Sequence, residues 1–545
     1  MLKNQRALPK TGFEGLTENW RFDLISGFLV FLIALPLCIG ISIASGFPPM
    51  SGIITAVIGG LVVSRISGSY VTINGPAAGL IVVILTAVQN LGGGDTMAGF
   101  RFTLAAIVVA SFFQVIMGLL KAGKLNAYFP ASVVHGMLAA IGVIIMAKQT
   151  HVLLGVKPQS KEIIDTILEI PHSIATMNPA IALIGVSGIL ILILWTQIKN
   201  GFLKKIPAPL VVVTVGIALG RYFGLETEHT YSLGSLAGLF PNPEYPVGPK
   251  YLVTVSEHIM SSFYAPDFGK FWTSEFLAAV VSICLVGSLE TLLSATAVDK
   301  LDPYKRESNL NRDLTAVGIG NLLAGAIGGL PMIAEIVRSS ANVNNGARTG
   351  WANFFHGAFL ALFVLFVPGL IHMIPLSSLA ALLVFTGFRL ASPKEFAKTM
   401  KIGNEQLFIF TSTILAVLAT DLLIGVLAGI VIKIVIHLIR GVPLGNLVRI
   451  NFTIKETEQD EFTVRIEGSA IFANFVGLKS ALADIPLGQA ITFDVTDASY
   501  IDHTVMEFIE QFQHDYIDRG GKCVVNGLED LVGYSDHPLA ARKRS

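Results

Sequence analysis

Long apolar stretches alternate with short polar connections over the first 440 residues of the chain. A polar stretch at 224–274 divides the apolar blocks into two groups of seven. They lie at about 22–44, 51–66, 76–91, 100–120, 131–148, 174–198 and 207–223, and then at 275–297, 312–328, 332–343, 353–373, 376–391, 406–420 and 422–440. Most are long enough to cross about 30 Å of hydrocarbon as helices. The pattern predicts fourteen membrane-spanning segments.

Two of these segments are short and begin at glycine and proline residues. One follows Asn74–Pro76, and the other follows the Gly-Gly-Leu-Pro run at 328–331. The preceding segments also match, because the Thr-Ala-Val run at 55–57 lies as far before Gly68 as the run at 315–317 lies before Gly328. Paired interrupted helices indicate inverted repeats with a substrate site near the bilayer midplane. The alternative is that glycine and proline kink ordinary spanning helices.

The composition changes near residue 445. Strand-like runs at 461–468, 490–495 and 523–526 alternate with stretches of helical spacing at 474–484 and 504–518. Such alternation predicts a small α/β domain. The predicted organisation is an N-terminal segment at 1–21, a transport domain at 22–440 with repeats at about 22–223 and 275–440, and a C-terminal domain at 441–545.

Composition narrows the function. Hydrophobic residues make up 52% of the chain and charged residues 14%, with a mean hydropathy of +0.67, whereas soluble proteins have about 25% charged residues. The net charge is zero and no basic stripe is interleaved with aromatic residues, so a nucleic-acid partner is excluded. We find no pairing of nucleophile with base, no P-loop and no metal-ligand spacing, so we expect neither an enzyme nor a cofactor. Transport would draw on ion gradients.

Charges in the connections predict the orientation. The first 21 residues are polar and lack the pattern of a signal peptide, so we expect them in the cytoplasm. Basic residues then fall on the cytoplasmic side, as the positive-inside rule requires. They are Lys121, Lys124, Lys199, Lys204, Lys205, Lys300, Lys305, Arg306, Arg312, Lys394, Lys398 and Lys401. We predict a multi-pass protein of the inner (plasma) membrane with both termini in the cytoplasm.

The two short segments are the candidate substrate site. Helix N-termini bind anions through backbone N–H groups and the helix dipole. Arg338 is a cation inside an apolar stretch and hence a candidate ligand, although it could instead snorkel to the interface. The predicted anion-binding residues are Asn74, Gly75, Ala77 and Ala78 at the first segment, and Ala334, Glu335, Ile336 and Arg338 at the second.

Two acidic residues are candidates for coupling. Glu290 lies about fifteen residues into its block, where a carboxylate must be paired, bind a cation or carry a proton. Glu335 can pair with Arg338 at i,i+3 spacing. Alternatively, it is protonated whenever the anion is bound, which would couple anion entry to proton entry. His135, His151 and His356 lie near predicted helix ends and are interpreted as packing or interfacial residues.

The chain resembles the SulP (sulfate permease) family over nearly its whole length. The similarity is carried by Ala-Leu-Pro at 34–36, Ala-Ser-Gly at 44–46, the run at 328–331, Arg338-Ser339, and Gly-Ala-Arg-Thr at 346–349. The tail is similar to a STAS domain. The resemblance implies two inverted seven-helix repeats, divided into core and gate domains, that work by an elevator-like mechanism in a lipid-embedded homodimer. Spans 1, 3, 8 and 10 would line the site.

The resemblance also implies roles for single residues. Glu290 stands where a bicarbonate-transporting relative has a sodium-site aspartate, and Ser294 where it has a nearby threonine. Asn74 replaces a threonine of the third span. Glu335 and Ile336 replace small or hydroxylated residues, and this extra acid and lost hydroxyl favour protons over sodium. In the tail, Thr504 aligns with a phosphorylatable serine and is a candidate regulatory residue.

The predicted function is secondary active transport of a small inorganic oxyanion coupled to Na⁺ or H⁺. Bicarbonate is the favoured substrate, because the stretch at 128–142 is similar to a bacterial branch in which the transporter can be fused to carbonic anhydrase. Two alternatives remain: a sulfate/proton symporter, and a membrane scaffold that acts through the STAS-like domain.

Overall fold

The computed structural model describes residues 8–160, 162–198, 201, 206–232, 244–254, 259–456, 461–482, 484–486, 488–518 and 520–544. By length and composition, eight helices among these residues are able to cross a membrane, and four more are apolar but shorter. Each of the fourteen predicted segments coincides with a helix. Lys199, Lys204 and Lys205, used above for the orientation, lie outside the described residues.

The first seven segments contain the helices α1 to α9 and the strand β1. Their bounds are α1 Gly12–Ala44, α2 Pro49–Ile66, β1 Asn74–Pro76, α3 Ala78–Gly92, α4 Thr96–Leu119, α5 Ala131–Leu153, α6 Ile163–Leu168, α7 Ile170–Ala175, α8 Pro179–Gln197 and α9 Ala208–Tyr222. Strands β2 (His229–Ser232) and β3 (Glu244–Val247) form a hairpin in the long connection.

The second seven segments follow the same plan. Their bounds are α10 Ser274–Leu301, α11 Leu310–Ile327, β4 Met332–Ala334, α12 Ile336–Asn344, α13 Trp351–Phe366, α14 Leu376–Leu390, α15 Pro393–Ile402, α16 Asn404–Ala419 and α17 Leu422–Ile439. The short helix α15 has a polar composition and was not predicted, because its apolar positions are too few to form a block.

Helix α1 begins at Gly12, ten residues before the predicted apolar block, so much of the predicted N-terminal segment is helical. Its 33 residues correspond to about 50 Å, more than the hydrocarbon thickness. Lys10 contacts the carboxylates of Glu14 and Glu18 at 3.4 and 2.8 Å. The hydropathy pattern detects only the apolar part of α1, so it misses the polar turns at the start of this helix.

The two interrupted segments meet through their strands. β1 pairs antiparallel with β4, and Asn74, Gly75 and Pro76 stand opposite Ala334, Ile333 and Met332. Each strand leads directly into a short helix, α3 or α12. The prediction of paired half-helices is therefore confirmed, and the kinked-helix alternative is wrong. Both helices begin at the same small sheet.

The chain forms two compact units. One comprises residues 1–123 and 141–390, and the other comprises residues 124–140 and 391–545. The predicted domain boundary at 440 coincides with the end of α17, but α15, α16 and α17 belong with the C-terminal domain. Lys433 and His437 of α17 are fully buried against residues of that domain, which explains this grouping.

The C-terminal domain is an α/β fold, as predicted. Strand β7 is central: it pairs in parallel with β6 and β8, and antiparallel with β10, while β5 and β9 lie outside β6 and β10. The elements are β5 Asn451–Glu456, β6 Glu461–Ala470, α18 Val476–Leu482, β7 Ala490–Ile501, α19 His503–Asp518, β8 Lys522–Asn526, β9 Leu531–Gly533 and β10 Arg542–Arg544. The three-residue strands β9 and β10 are too short for an alternating pattern to predict.

Candidate functional site

Arg338 lies in the first turn of α12 and is fully buried. Its Nη2 donates a hydrogen bond to the Pro76 carbonyl oxygen at 3.0 Å. Nε and Nη1 have no hydrogen-bond partner in the described part of the chain. No described carboxylate lies within 4 Å of the guanidinium. The side chain is therefore directed into the protein and does not snorkel, and it keeps two donors unused.

Gly75 makes room for this guanidinium. A Cβ atom at position 75 would lie 2.5 Å from Nη1 of Arg338, so any side chain would displace it. The Cys38 thiol of α1 lies close enough to Arg338 for the two groups to interact. Spans 1, 3 and 10 therefore converge on the arginine, as the family resemblance implies.

Asn74 supplies a second unused donor. Its Oδ1 accepts a hydrogen bond from Nδ2 of Asn353 at 3.0 Å, which leaves its own Nδ2 without a partner among the described atoms. Asn353 also donates to the Gly59 carbonyl oxygen at 3.3 Å. This contact fixes the orientation of the Asn74 amide, so that its N–H₂ group is available to an anion.

His356, interpreted from the sequence as a packing or interfacial residue, is a further candidate for the site. It lies one turn after Asn353 on α13 and is fully buried, and both ring nitrogens lack a partner in the described structure. It is close enough to Arg338 to interact with its charge. The sequence did contain a signal for this residue, because His356 lies three positions after Asn353 and both polar residues fall inside a predicted apolar block. His151, in contrast, is a packing residue as predicted, with its nitrogens bonded to Ser173 and Thr166.

Glu290 lies in the middle of α10 and is 5% exposed. Its carboxylate packs against the first turn of α3, where a Cβ atom on Gly79 would lie 1.9 and 2.3 Å from the two carboxylate oxygens. Within the described residues, Oε1 has no hydrogen-bond partner and no lysine or arginine forms an ion pair with this group. Glu290 therefore forms no structural ion pair with a described residue, which was one of the alternatives for this carboxylate. The remaining choices are a bound cation or a proton.

Glu335 is the N-cap of α12. Its Oε2 accepts a hydrogen bond from the backbone N–H of Arg338 at 2.7 Å. The i,i+3 contact with Arg338 therefore forms through the backbone and not through the guanidinium. Glu335 and Glu290 are near enough for their charges to interact. Two neighbouring carboxylates repel each other when both are charged.

The remaining predicted residues occupy different places. Ala77, Ala78 and Ala334 are buried beside the sheet. Ala77, the N-cap of the first turn of α3, has no side chain that could accept the N–H groups of that turn. Ile336 is 42% exposed. Ser294 is half-buried one turn after Glu290, and no hydrogen bond among the described residues joins it to the other predicted site residues.

Thr504 belongs to a separate buried cluster, where α17 meets the C-terminal domain. Lys433 donates a hydrogen bond to Oγ1 of Thr504 at 3.2 Å, and its Nζ lies 3.4 Å from Oδ2 of Asp502. His437 also contacts Oδ2 at 3.4 Å. Burial alone would raise the pKa of Asp502, but Lys433, His437 and the Val505 N–H together lower this pKa well below its usual range.

We expect Asp502→Asn to destabilise this second unit by about 3–5 kcal/mol, because it leaves Lys433 buried without a counter-charge. The depressed pKa means that this contribution is present at neutral pH and is lost as pH falls below the usual aspartate range of about 4. The measurement is the melting temperature of detergent-purified protein. Asp497→Asn is the control, since its partner Arg465 is exposed. Adding Lys433→Met should recover part of the loss; no recovery would contradict the buried-charge explanation.

Comparison with known proteins decides the family. The profile of the sulfate permease family matches residues 21–413, most of the chain. The chain belongs to the sulfate permease family. It is 27% identical to YvdB of Bacillus subtilis, named as a candidate sulfate transporter, over 94% of this chain and 92% of YvdB.

Two solved structures share the fold. The transmembrane domain of the cyanobacterial bicarbonate transporter BicA matches with a TM-score of 0.64 and 22% identity, over 79% of this chain and 100% of that domain. SLC26A9 matches with a TM-score of 0.66 and 12% identity, over 94% of this chain and 84% of SLC26A9. The predicted family and helical membrane fold are confirmed, and the C-terminal sheet is consistent with a STAS domain. The protein is a multi-pass anion transporter of the sulfate permease family.

Proposed function

We propose that this sulfate permease family protein is a secondary active transporter of a small inorganic oxyanion, with bicarbonate as the first candidate and a cation as the coupling ion. One observation carries the proposal. A buried arginine with two unused donors stands where two half-helices meet. Glu335 caps the half-helix of Arg338, Glu290 packs against Gly79 of the other half-helix, and neither carboxylate has a cationic partner in the described structure.

The free donors suit an oxyanion. Nε and Nη1 of Arg338 keep free N–H groups, and Nη2 uses one of its two N–H groups on the Pro76 carbonyl oxygen. The remaining N–H of Nη2 can form a planar fork with the neighbouring free nitrogen and bond two oxygens of one ligand at once. The Asn74 amide offers a further N–H, and the open first turn of α3 adds backbone donors. Bicarbonate and sulfate each present oxygens to such a fork. Sulfate is therefore the second candidate, and YvdB, which carries a sulfate name, supports it as directly as BicA supports bicarbonate.

Coupling follows from the charges around the fork. An anion that enters beside Glu290 and Glu335 is repelled unless at least one carboxylate is neutralised. A proton or a sodium ion on Glu290 would remove this repulsion, so cation and anion would enter together. Protons fit better than sodium, because Glu335 adds an acid to the site and Ile336 offers no hydroxyl ligand.

The proposal includes an elevator-type movement, as the family resemblance implies. The donors and carboxylates are carried by β1, α3, α10, β4, α12 and α13, which lie within a single compact unit. These elements could carry anion and cation across the membrane as one body. We further propose a homodimer in the plasma membrane with cytoplasmic termini, as the resemblance and the positive-inside pattern favour.

The proposal is tested by uptake into proteoliposomes. Radiolabelled bicarbonate and sulfate are supplied separately, with an inward proton gradient, an inward sodium gradient or neither. We expect uptake of one anion to depend on one gradient. A protein without residues 441–545 should keep some uptake, whereas a scaffold acting through its C-terminal domain would show none. Absence of gradient-driven uptake for both anions would refute the proposal.

Glu335→Gln should flatten the pH dependence of uptake, because the substitution replaces a carboxyl group next to the proposed anion site by a neutral amide. The amide can still accept the Arg338 N–H, so α12 should remain capped. The measurement is the initial uptake rate at several external pH values. Glu14→Gln, an exposed glutamate in the first turn of α1, is the control. A pH profile identical to that of the unmodified protein would leave Glu335 with its capping role alone.

A further inference from the structure

A cavity that includes none of the Arg338 site residues lies within the same compact unit. Its volume is about 350 Å³, and it is lined by residues of α1, α3, α5 and α14, by residues 158–160 and by Thr166. Part of the lining is apolar, with Gly40, Leu379 and Leu383. The lining also includes polar side chains, among them Lys148, Gln89 and Gln149. It shares no lining residue with the Arg338 site.

Lys148 is the charged side chain among the residues that line this cavity. It is half-buried on α5, five residues before the helix ends. No carboxylate in the described ranges lies within 4 Å of its Nζ. A lysine in a cavity without a counter-ion attracts anions, and confinement by low-dielectric walls strengthens this attraction.

One acidic residue is bonded to the lining residues of this cavity and is already engaged. Glu169 accepts hydrogen bonds from the backbone N–H groups of Gln159 and Ser160 at 3.0 and 3.3 Å. Gln159 and Ser160 line the cavity, but Glu169 does not. The carboxylate therefore holds the segment in place, and Lys148 provides the charge that faces the cavity.

The helix directions place the cavity on one side of the membrane. Ala44 is the last residue of α1, Gln89 lies near the end of α3, and Lys148 lies near the end of α5. Leu376, which also lines the cavity, is the first residue of α14. These ends meet on the side opposite to the N-terminus of α1, which is the outer side in the proposed orientation.

We infer that this cavity is an outer vestibule for the transported oxyanion, in which Lys148 collects the anion before it reaches Arg338. The inference rests on the proposed function. The C-terminal ends of α1, α3 and α5 carry partial negative charge, and Lys148 supplies a full positive charge beside them. The volume exceeds the roughly 30 Å³ share of one water molecule about tenfold, so an oxyanion can enter with part of its hydration shell.

Lys148→Gln should change transport from one side only. We expect the KM for outside anion to rise about 3–10-fold and the maximal rate to stay unchanged. The KM for anion supplied from the cytoplasmic side should not change. The measurement uses radiolabelled sulfate and bicarbonate in proteoliposomes of defined orientation. Lys148→Arg should behave like the unmodified protein. Lys250→Gln, an exposed lysine of the outer connection, is the control.

A second readout does not require transport. In Gln89→Cys, an impermeant anionic thiol reagent should react faster than a cationic reagent of the same size. In the double variant with Lys148→Gln, this preference should fall about 3–10-fold. Cys38 and Cys284 are buried, and the variant without the added cysteine measures their background labelling.

The outcomes of these experiments distinguish failure of the vestibule from failure of the proposed transport function. An unchanged outer KM together with an unchanged reagent preference would overturn the vestibule, while the Arg338 and Glu290 variants would still test the proposed function. An equal rise of KM on both sides would place Lys148 in a shared central site and also overturn the vestibule. If no anion is transported, the reagent preference alone decides whether Lys148 makes the cavity attractive to anions.

Discussion

Arg338→Ala is expected to raise the KM for the oxyanion about 10–150-fold. The variant removes charge-assisted hydrogen bonds worth about 1.5–3 kcal/mol, and each 1.4 kcal/mol changes affinity tenfold. The maximal rate should change less, because Glu290 and the half-helices remain. The KM of Arg338→Lys should lie between that of the unmodified protein and that of Arg338→Ala, since lysine keeps the charge but lacks the planar fork. Initial uptake rates over a range of anion concentrations give both constants.

Thermal stability distinguishes binding from structure at this position. A buried arginine without a described counter-ion contributes little to folding, so Arg338→Ala should melt at the same temperature as the unmodified protein or higher. Added anion should raise the melting temperature of the unmodified protein but not that of the variant. The exposed Arg221→Ala is the control. A variant that melts several degrees lower, with an unchanged KM, would assign Arg338 a structural role.

Glu290→Gln is expected to abolish gradient-driven uptake. The amide is similar in size but carries no charge to attract a cation and no proton to release, so the coupling ion would lose its site. Exchange of labelled for unlabelled anion at equal concentrations should persist, because the donors at Arg338 and Asn74 are unchanged. Both assays use the same proteoliposomes. Glu275→Gln, an exposed glutamate in the first turn of the same helix, should transport normally.

The contact of Glu290 with α3 allows a further test. Gly79→Ala would place a methyl group where the carboxylate lies, so it should impair driven uptake without altering Glu290 itself. Gly93→Ala is a poor control because Gly93 has a positive φ. Gly369→Ala is better, since a Cβ atom there meets no other atom within 4 Å. Full coupling in both Glu290→Gln and Gly79→Ala would exclude this carboxylate from cation transport.

The sequence determined the architecture almost completely. Apolar blocks indicate which stretches require a lipid environment, and each of the fourteen predicted blocks coincides with a helix in the structure. The interrupted segments were also predictable, because Asn-Gly-Pro at 74–76 and Gly-Gly-Leu-Pro at 328–331 cannot continue a regular helix. The extension of α1 to Gly12 was missed, since a helix outside the membrane carries no apolar block.

Only the tertiary structure decided which candidates share one site and how they are satisfied. The pairing of Asn74 with Ala334 joins residues 260 positions apart. His356 is a candidate because its ring nitrogens have no partner among the described residues and it lies close enough to Arg338 to interact with its charge. The sequence likewise left open whether Glu335 pairs with the guanidinium of Arg338. In the structure, the Glu335 carboxylate instead accepts a hydrogen bond from the backbone N–H of Arg338. The reason is physical: hydropathy records the solvent that each residue prefers, whereas unsatisfied donors and carboxylates depend on which distant atoms the fold brings together.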